Sequence, residues 1–291
     1  MNVRKTKDQG NVEKRGFLTP FKQIQGILKQ VLPPQEISLL PKKWEKIGDV
    51  LILKMPQGLK EKEKIAEIYA SILNCRSVLE DAGGITGIKR EPTMNLLFGD
   101  TDTETIHVEN GIYFKLDVSK VMFSSGNIDE RIRMASIGGP NEVVVDFFAG
   151  IGYFTLPMAV YRNPHIYACE LNPVAYHYLL ENLKLNNVEG RVKGLFGDCR
   201  EVAPRGIADR VILGYLDAYN FLPDALQVLK KTGGTIHYHE ACPNRFLPNR
   251  PLERIQEISQ KFQKRATIVH YHKVKSYMPS VSHVVVDAHI W

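Results

Sequence analysis

Three carboxylates and two glycines in the middle of the chain are spaced in a way that suits nucleoside binding. Asp146 ends a short apolar run, and Gly150 and Gly152 follow it directly. Glu170 lies 18 residues beyond Gly152, and Asp198 stands in the sequence Gly-Asp-Cys-Arg. One carboxylate can accept hydrogen bonds from both hydroxyls of a ribose, and another can accept from an adenine amino group. The pattern therefore predicts an adenosine site.

We expect each residue of this site to have its own role. Gly150 lets the backbone turn and approach a ligand, and Glu170 binds the ribose. Asp198 and the backbone N–H of Cys199 face the adenine ring. Thr155 stands where a dinucleotide-binding fingerprint has its third glycine, which counts against NAD. Any one of the three acids could instead cap a helix or turn. Three of them in order favour the adenosine interpretation.

Strand-like and helical segments alternate from residue 142 onward and would bring these acids to successive strand ends. The apolar runs 143–146, 165–170, 191–196, 210–213 and 235–239 resemble strands, with helical patterns between most of them. This alternation predicts a doubly wound parallel sheet. Residues 266–274 and 282–290 are joined by a segment too short for a crossover helix, so we expect them to pair antiparallel. That is the α/β, Rossmann-like fold of S-adenosylmethionine-dependent methyltransferases.

The chain divides into three predicted parts. Residues 1–34 form a basic, partly flexible leader with a short helix at 20–32, residues 35–118 form a small α/β domain, and residues 119–291 form the cofactor-binding catalytic domain. Residues 1–64 hold 14 basic and 7 acidic side chains, whereas the rest of the chain has a balance of −1. This asymmetry favours a polyanionic partner, although a solubilising leader would explain the charge equally well.

Two local sequences connect the chain to a known family. The stretch Met122-Phe-Ser-Ser-Gly-Asn-Ile-Asp-Glu-Arg131 resembles the F-S-x-G-N-x-x-E-R motif of the tRNA wybutosine-synthesising protein 2 family. The related tRNA guanine-N1 methyltransferases tend to have a proline–arginine pair after the first serine. They also have Asn-Leu-Pro at the end of the fourth strand, where this chain has Gly214-Tyr215-Leu216.

This resemblance implies an activity. The family transfers the 3-amino-3-carboxypropyl group of S-adenosylmethionine to a tricyclic wyosine-type base beside the anticodon of tRNA, expected here to be tRNA-Phe, and releases methylthioadenosine. Ser124 and Arg131 would hold the methionine arm of the cofactor, with Arg131 paired to its carboxylate. A guanine-N1 tRNA methyltransferase and a non-catalytic RNA-binding module remain as alternatives.

Several further expectations concern what surrounds this site. No catalytic base is evident, and the oligomeric state stays open. The pairs His237/His239 and His270/His272 could bind a metal, but no metal is expected because no Cys or acid completes a ligand set. The four cysteines show no C-x-x-C spacing, so neither a zinc knuckle nor a disulfide scaffold is indicated, and no apolar run suits a lipid-spanning helix. We therefore expect a cytoplasmic protein.

The sequence also offers surfaces for RNA. The basic candidates are Arg4, Lys5, Lys7, Lys14, Arg15, Lys42, Lys43, Arg245, Arg250, Arg254, Lys261, Lys264 and Arg265. An unstacked base could lie against Phe148, Tyr153 or Tyr215, although these aromatic side chains could equally belong to the core.

Overall fold

A computed structural model describes residues 18–87 and 91–291. Its first part is a four-stranded sheet in the order β1-β2-β3-β4, in which only β2 and β3 run parallel. A separate hairpin follows. The elements are α1 (Pro20–Leu28), α2 (Pro34–Leu39), β1 (Trp44–Ile47), β2 (Val50–Leu53), α3 (Lys62–Leu73), β3 (Ser77–Thr86), β4 (Glu91–Gly99), β5 (Glu104–Glu109) and β6 (Ile112–Asp117).

The second part is a seven-stranded sheet in the order β12-β13-β11-β10-β7-β8-β9. The elements are α4 (Ile128–Met134), β7 (Val143–Asp146), α5 (Thr155–Tyr161), β8 (His165–Glu170), α6 (Pro173–Leu185), β9 (Val192–Phe196), α7 (Cys199–Val202), β10 (Arg210–Leu213), α8 (Leu222–Val228), β11 (Gly234–Pro243), α9 (Asn249–Lys261), β12 (Ala266–Met278) and β13 (Val281–Ile290). The five strands β7 to β11 are parallel, and β13 pairs antiparallel with both β11 and β12. The predicted parallel sheet with an antiparallel edge pair is confirmed.

Both faces of the large sheet are covered, which explains why its strands are continuous apolar runs rather than alternating ones. Val144 of β7 packs in the core on one face, and its neighbour Val145 packs in the core on the other. Asp146, the last residue of the same strand, is also fully buried. The strand therefore places a carboxylate at the carboxyl edge of the sheet, where ligands bind in this class of fold.

The hairpin of β5 and β6 packs against α6. The Asn182 side chain accepts a hydrogen bond of 2.6 Å from the Lys115 backbone N–H and donates one of 3.0 Å to its carbonyl. Phe114 and Leu116 are buried in the same core cluster as Val144. Residues 104–117 thus share their core with the large sheet.

The helix predicted within the leader packs on the small sheet. Thr19 caps α1 and Pro20 begins it, while Ile24 and Leu28 are fully buried in a cluster with Ile65 of α3. The helix ends at Leu28 rather than at residue 32. Residues 1–17 lie outside the described part of the chain.

Two consecutive glycines, Gly83 and Gly84, lie inside β3, which continues through them to Thr86. The pairing of β3 with β4 is irregular between Asp81 and Ile85, and the Gly84 N–H donates to the Asp81 carboxylate at 2.7 Å. Gly84 has a φ of +70°, so the glycine permits a bulge inside the strand rather than its end.

Candidate cofactor and substrate cleft

A cleft of about 1350 Å³ separates the small sheet from the carboxyl edge of the large sheet. Ile52, Asp81 and Met94 of the small sheet line one wall, and the residues that follow β7, β8, β9 and β10 line the other. The Ser125 hydroxyl, in the turn before α4, donates to the Glu45 carboxylate of β1 at 3.2 Å. The volume exceeds that of a typical small-molecule pocket, so the cleft can take a nucleoside and part of a second molecule.

Glu170 and Gly150, both predicted to bind the cofactor, lie together in the cleft wall. Glu170 Oε2 accepts from the Gly150 N–H at 2.7 Å, and Oε1 accepts from the Asn172 N–H at 2.7 Å. Burial raises the pKa of the carboxyl, and these backbone donors act in the opposite direction. Each oxygen keeps lone-pair capacity toward the cleft, which is what binding to a ribose diol requires.

Asp146 does not line the cleft but lies beneath the glycine loop. Its carboxylate accepts from the Thr155 hydroxyl at 2.8 Å and from the Phe148 N–H at 3.2 Å. Complete burial raises its pKa to about 7. Asp146 is therefore placed to position the glycine loop rather than to contact a ligand. Its hydrogen-bond partner Thr155 occupies the place of the third glycine in the dinucleotide-binding fingerprint.

Asp198 and Cys199, which were predicted to face the adenine ring, line the cleft just after β9. Asp198 caps α7 by accepting from the Arg200 N–H at 2.9 Å, and the Arg200 guanidinium binds the same carboxylate. Hydrogen bonds from Arg200 hold the pKa of Asp198 below its usual range. An ionised acceptor is therefore fixed where the adenine edge was predicted, beside the buried Cys199.

Ser124 lines the cleft, whereas Arg131 lies behind it. The Ser124 hydroxyl accepts from Lys275 Nζ at 2.7 Å. The buried Arg131 guanidinium donates to both oxygens of Glu109, at 2.5 and 2.7 Å, and to the Ser124 carbonyl at 2.9 Å. Arg131 does not line the cleft itself, but it contacts two residues that do: Ser124 through this hydrogen bond and Phe123 through a cation–π contact of 4.7 Å. Its direct pairing with a cofactor carboxylate stays a prediction.

A group of aromatic side chains covers the wall that follows β7 and β10. Phe148 packs on Tyr215 with ring centres 5.3 Å apart and on Phe221 at 4.9 Å, and all three line the cleft. Tyr153 also lines it, and its hydroxyl donates to the Met122 carbonyl. Such flat apolar surfaces suit an unstacked base.

Comparison with known proteins agrees with this geometry. Residues 105–269 match the family model described as the TRM5/TYW2 methyltransferase domain, and residues 24–103 match the TYW2 N-terminal domain. The chain belongs to the TRM5/TYW2 family. The family resemblance drawn from the two sequence motifs is thus confirmed.

Two archaeal relatives of this TRM5/TYW2 family member are named tRNA(Phe) (4-demethylwyosine(37)-C(7)) aminocarboxypropyltransferase. The one from Pyrococcus horikoshii is 42% identical, with 92% of this chain and 96% of the relative covered. The one from Methanocaldococcus jannaschii is 47% identical, with 84% and 97% covered. A solved structure of P. horikoshii TYW2 in complex with MeSAdo has a TM-score of 0.84 at 40% identity, covering 93% of this chain and 99% of that one.

Sequence reasoning missed several cleft residues of this family member. Lys275 reaches the site from the far end of β12, and Asn127 from the turn before α4. Asn127 Oδ1 is buried and has no hydrogen-bond partner among residues 18–87 and 91–291. His283 of β13 also lines the cleft. Asn127 is part of the F-S-x-G-N motif, whereas Lys275 and His283 carry no local signal, because their proximity depends on the pairing of the antiparallel edge strands.

The paired histidines have hydrogen-bond partners inside the protein. His237 Nδ1 lies 2.6 Å from Asp287, and His270 Nε2 lies 2.9 Å from His272 Nδ1. Among residues 18–87 and 91–291, no group of three or more His, Cys, Asp or Glu side chains is arranged to hold a metal ion. Within the same ranges, no helix is long and apolar enough to cross a bilayer.

Proposed function

We propose that this protein transfers the 3-amino-3-carboxypropyl group of S-adenosylmethionine to a tricyclic wyosine-type base of tRNA, with release of methylthioadenosine. The observation that carries the proposal is its similarity to named aminocarboxypropyltransferases over 96–97% of their length. The match to the TYW2 N-terminal domain over residues 24–103 supports it.

The residues of the cleft fit this donor. Glu170 would bind the ribose hydroxyls, and Asp198 with the Cys199 N–H would bind the adenine edge. Ser124 would contact the methionine arm, with Arg131 holding the Ser124 carbonyl from behind. When bound, S-adenosylmethionine supplies a sulfonium group whose neighbouring carbons are already electrophilic, so the transfer requires no metal. The protein's part is to set which carbon faces the base.

The alternative activity is methyl transfer to a guanine nitrogen. A relative named tRNA (guanine(37)-N(1))-methyltransferase Trm5b, from Pyrococcus abyssi, is 35% identical over 87% of this chain and 77% of the relative. Gly214, Tyr215 and Leu216 line the cleft after β10. Where the guanine-N1 methyltransferases have Asn-Leu-Pro, these three residues offer no side-chain carboxamide to accept a hydrogen from a target nitrogen, which favours attack by carbon. The next residue, Asp217, has a carboxylate and also lines the cleft.

The proposed substrate is the anticodon-loop region of tRNA-Phe, and the proposed location is the cytoplasm. Lys42 and Lys43 are exposed at the rim of the cleft and can contact phosphates. Arg250 and Arg254 both donate to Glu240, so this part of the basic surface is partly neutralised.

The experiment uses S-adenosylmethionine labelled either on the methyl or on the carboxyl carbon, with tRNA carrying the tricyclic precursor. We expect carboxyl label in the RNA and methylthioadenosine in solution. Methyl label in the RNA would show the alternative activity. Binding of RNA without transfer of either label would favour the non-catalytic module.

A further inference from the structure

His283 has an unpartnered ring nitrogen beside the cleft. Its side chain is 2% exposed, yet it belongs to the cleft wall. Nδ1 is buried and has no hydrogen-bond partner within residues 18–87 and 91–291. Leaving such a group unpaired is costly, which points to a ligand atom that completes it.

The position of His283 places it near the expected target base. It pairs in register with Ala241 of β11 and with Lys275 of β12. The Ala241 N–H donates to the Leu216 carbonyl at 3.0 Å, in the segment that follows β10. Lys275 contacts Ser124, where the methionine arm is proposed to lie. His283 is thus located between the segment proposed to face the base and the residues proposed to hold the arm.

The other side of the His283 ring leads to a second histidine and a carboxylate. His283 Nε2 lies 2.9 Å from Nδ1 of His239, which is completely buried. His239 Nε2 lies 3.8 Å from Glu130 Oε1, beyond hydrogen-bond distance, and has no hydrogen-bond partner within residues 18–87 and 91–291. Arg133 holds the Glu130 carboxylate through bonds of 2.6 and 2.9 Å, and His272 Nε2 lies 3.0 Å from it.

The sequence of contacts from Glu130 through His239 to His283 favours one tautomer of His283. A buried carboxylate attracts an N–H and repels a ring lone pair even beyond hydrogen-bond distance, so we expect His239 to carry its proton on Nε2, toward Glu130. His239 Nδ1 must then accept, and His283 Nε2–H must donate to it. The remaining nitrogen, His283 Nδ1, is left with a lone pair. The opposite tautomers would direct the His239 lone pair at the carboxylate.

Both histidines are neutral at neutral pH. Burial lowers the pKa of His283 to about 3, with a further contribution from the charges of Lys275 and His272. Burial also lowers the pKa of His239 well below its ordinary value. A neutral His283 is able to take up a proton, and a weak base suffices when the proton to be removed is strongly acidic.

We infer that His283 Nδ1 accepts the proton that the target carbon loses on alkylation, with His239 and Glu130 as positioning residues. The inference rests on the proposed function. A bond forms between the base carbon and the transferred γ-carbon, while the C–S bond breaks and its electron pair stays on sulfur. The alkylated carbon then releases its hydrogen as a proton to Nδ1, and the C–H electron pair restores the aromatic ring. The proton leaves to water with the product.

The first test reads the tautomer directly. ¹⁵N NMR of the histidine-labelled protein, assigned by comparison with His283→Gln, should show His283 protonated on Nε2 and bare on Nδ1. A protonated Nδ1 in the neutral ring would overturn the inference, whatever the activity of any variant.

The second test uses His283→Gln, whose amide can still donate to His239 but offers no basic nitrogen. Its single-turnover rate should fall by about 10²- to 10⁴-fold, and deuterium at the target carbon should slow the variant more than the wild type. Its affinity for methylthioadenosine should be unchanged. His289→Gln, an exposed position on the same strand, is the matched control. A loss below tenfold, or one without the isotope effect, would overturn the inference. Absence of aminocarboxypropyl transfer by the wild type would instead contradict the proposed function.

Discussion

At the scale of single residues, the carboxylates that look equivalent in the sequence have different surroundings. Glu170 and Asp198 are acceptors in the cleft wall, whereas Asp146 is buried against Thr155 below the loop. All three lie at the carboxyl ends of strands of the same sheet. The difference arises because the chain turns through Gly150 and Gly152 above Asp146 and covers it.

The ribose assignment predicts the effect of Glu170→Ala. Loss of a charge-assisted acceptor typically costs about 1.5–3 kcal/mol, so S-adenosylmethionine should bind roughly 10- to 100-fold more weakly. Affinity for tRNA should be unchanged. Calorimetry would measure the first and filter binding the second, with exposed Glu189→Ala as the control. Unchanged cofactor affinity would refute the assignment.

The ion pair of Glu109 with Arg131 predicts a pH dependence of stability. Burial tends to raise the pKa of Glu109, but Arg131, with His107, lowers it from 4.5 to about 2. Between these values the unfolded chain binds more protons than the folded one, so the free energy of unfolding should fall as the pH drops from 4.5 to 2. Urea unfolding at several pH values would measure this fall. In Glu109→Gln/Arg131→Met the fall should be smaller, and an equal fall would exclude the pair as its source.

At the scale of elements, the hydrophobic pattern of the sequence predicts the strands of the large sheet better than those of the small sheet. Runs such as Val143–Asp146 and Arg210–Leu213 are apolar throughout because both faces of their strands are covered. Trp44–Ile47 and Glu104–Glu109 form strands that their own sequences do not predict. They carry many polar residues, and their burial depends on partners that local sequence does not reveal.

The β5–β6 hairpin depends on a pair of asparagines in and just after α6. Asn182 bonds both backbone groups of Lys115 in the interior, and Asn186 bonds both backbone groups of Tyr113 near the surface. Asn182→Ala leaves buried groups unsatisfied, at about 1–3 kcal/mol each, whereas water can replace Asn186. Urea unfolding should show a clearly larger loss for Asn182→Ala. An equal loss of unfolding free energy for Asn182→Ala and Asn186→Ala would mean that burial does not determine how much each asparagine contributes to stability.

At the scale of the whole molecule, the cleft is formed jointly by the small sheet and the carboxyl edge of the large sheet. Ser124, Glu170 and Asp198 could be identified from sequence because each lies in or beside a recognisable motif. Lys275 and His283 could not, because they enter the cleft only through the pairing of β12 with β13. The domain limits at residues 34 and 118 stay predictions.

The arrangement of charge around the cleft predicts how tRNA binds. Lys42 and Lys43 lie at the rim of the cleft, at the carboxyl ends of the parallel strands. Lys231 is exposed just before β11 begins, at the amino ends of these strands. Each lysine that contacts a phosphate contributes about one unit to the slope of log affinity against log salt concentration. Lys42→Glu/Lys43→Glu should therefore weaken tRNA binding and flatten that slope, without changing affinity for S-adenosylmethionine. Filter binding at several salt concentrations measures both quantities, and Lys231→Glu serves as the control. If Lys231→Glu had the larger effect, the RNA would have to approach from the other edge of the sheet.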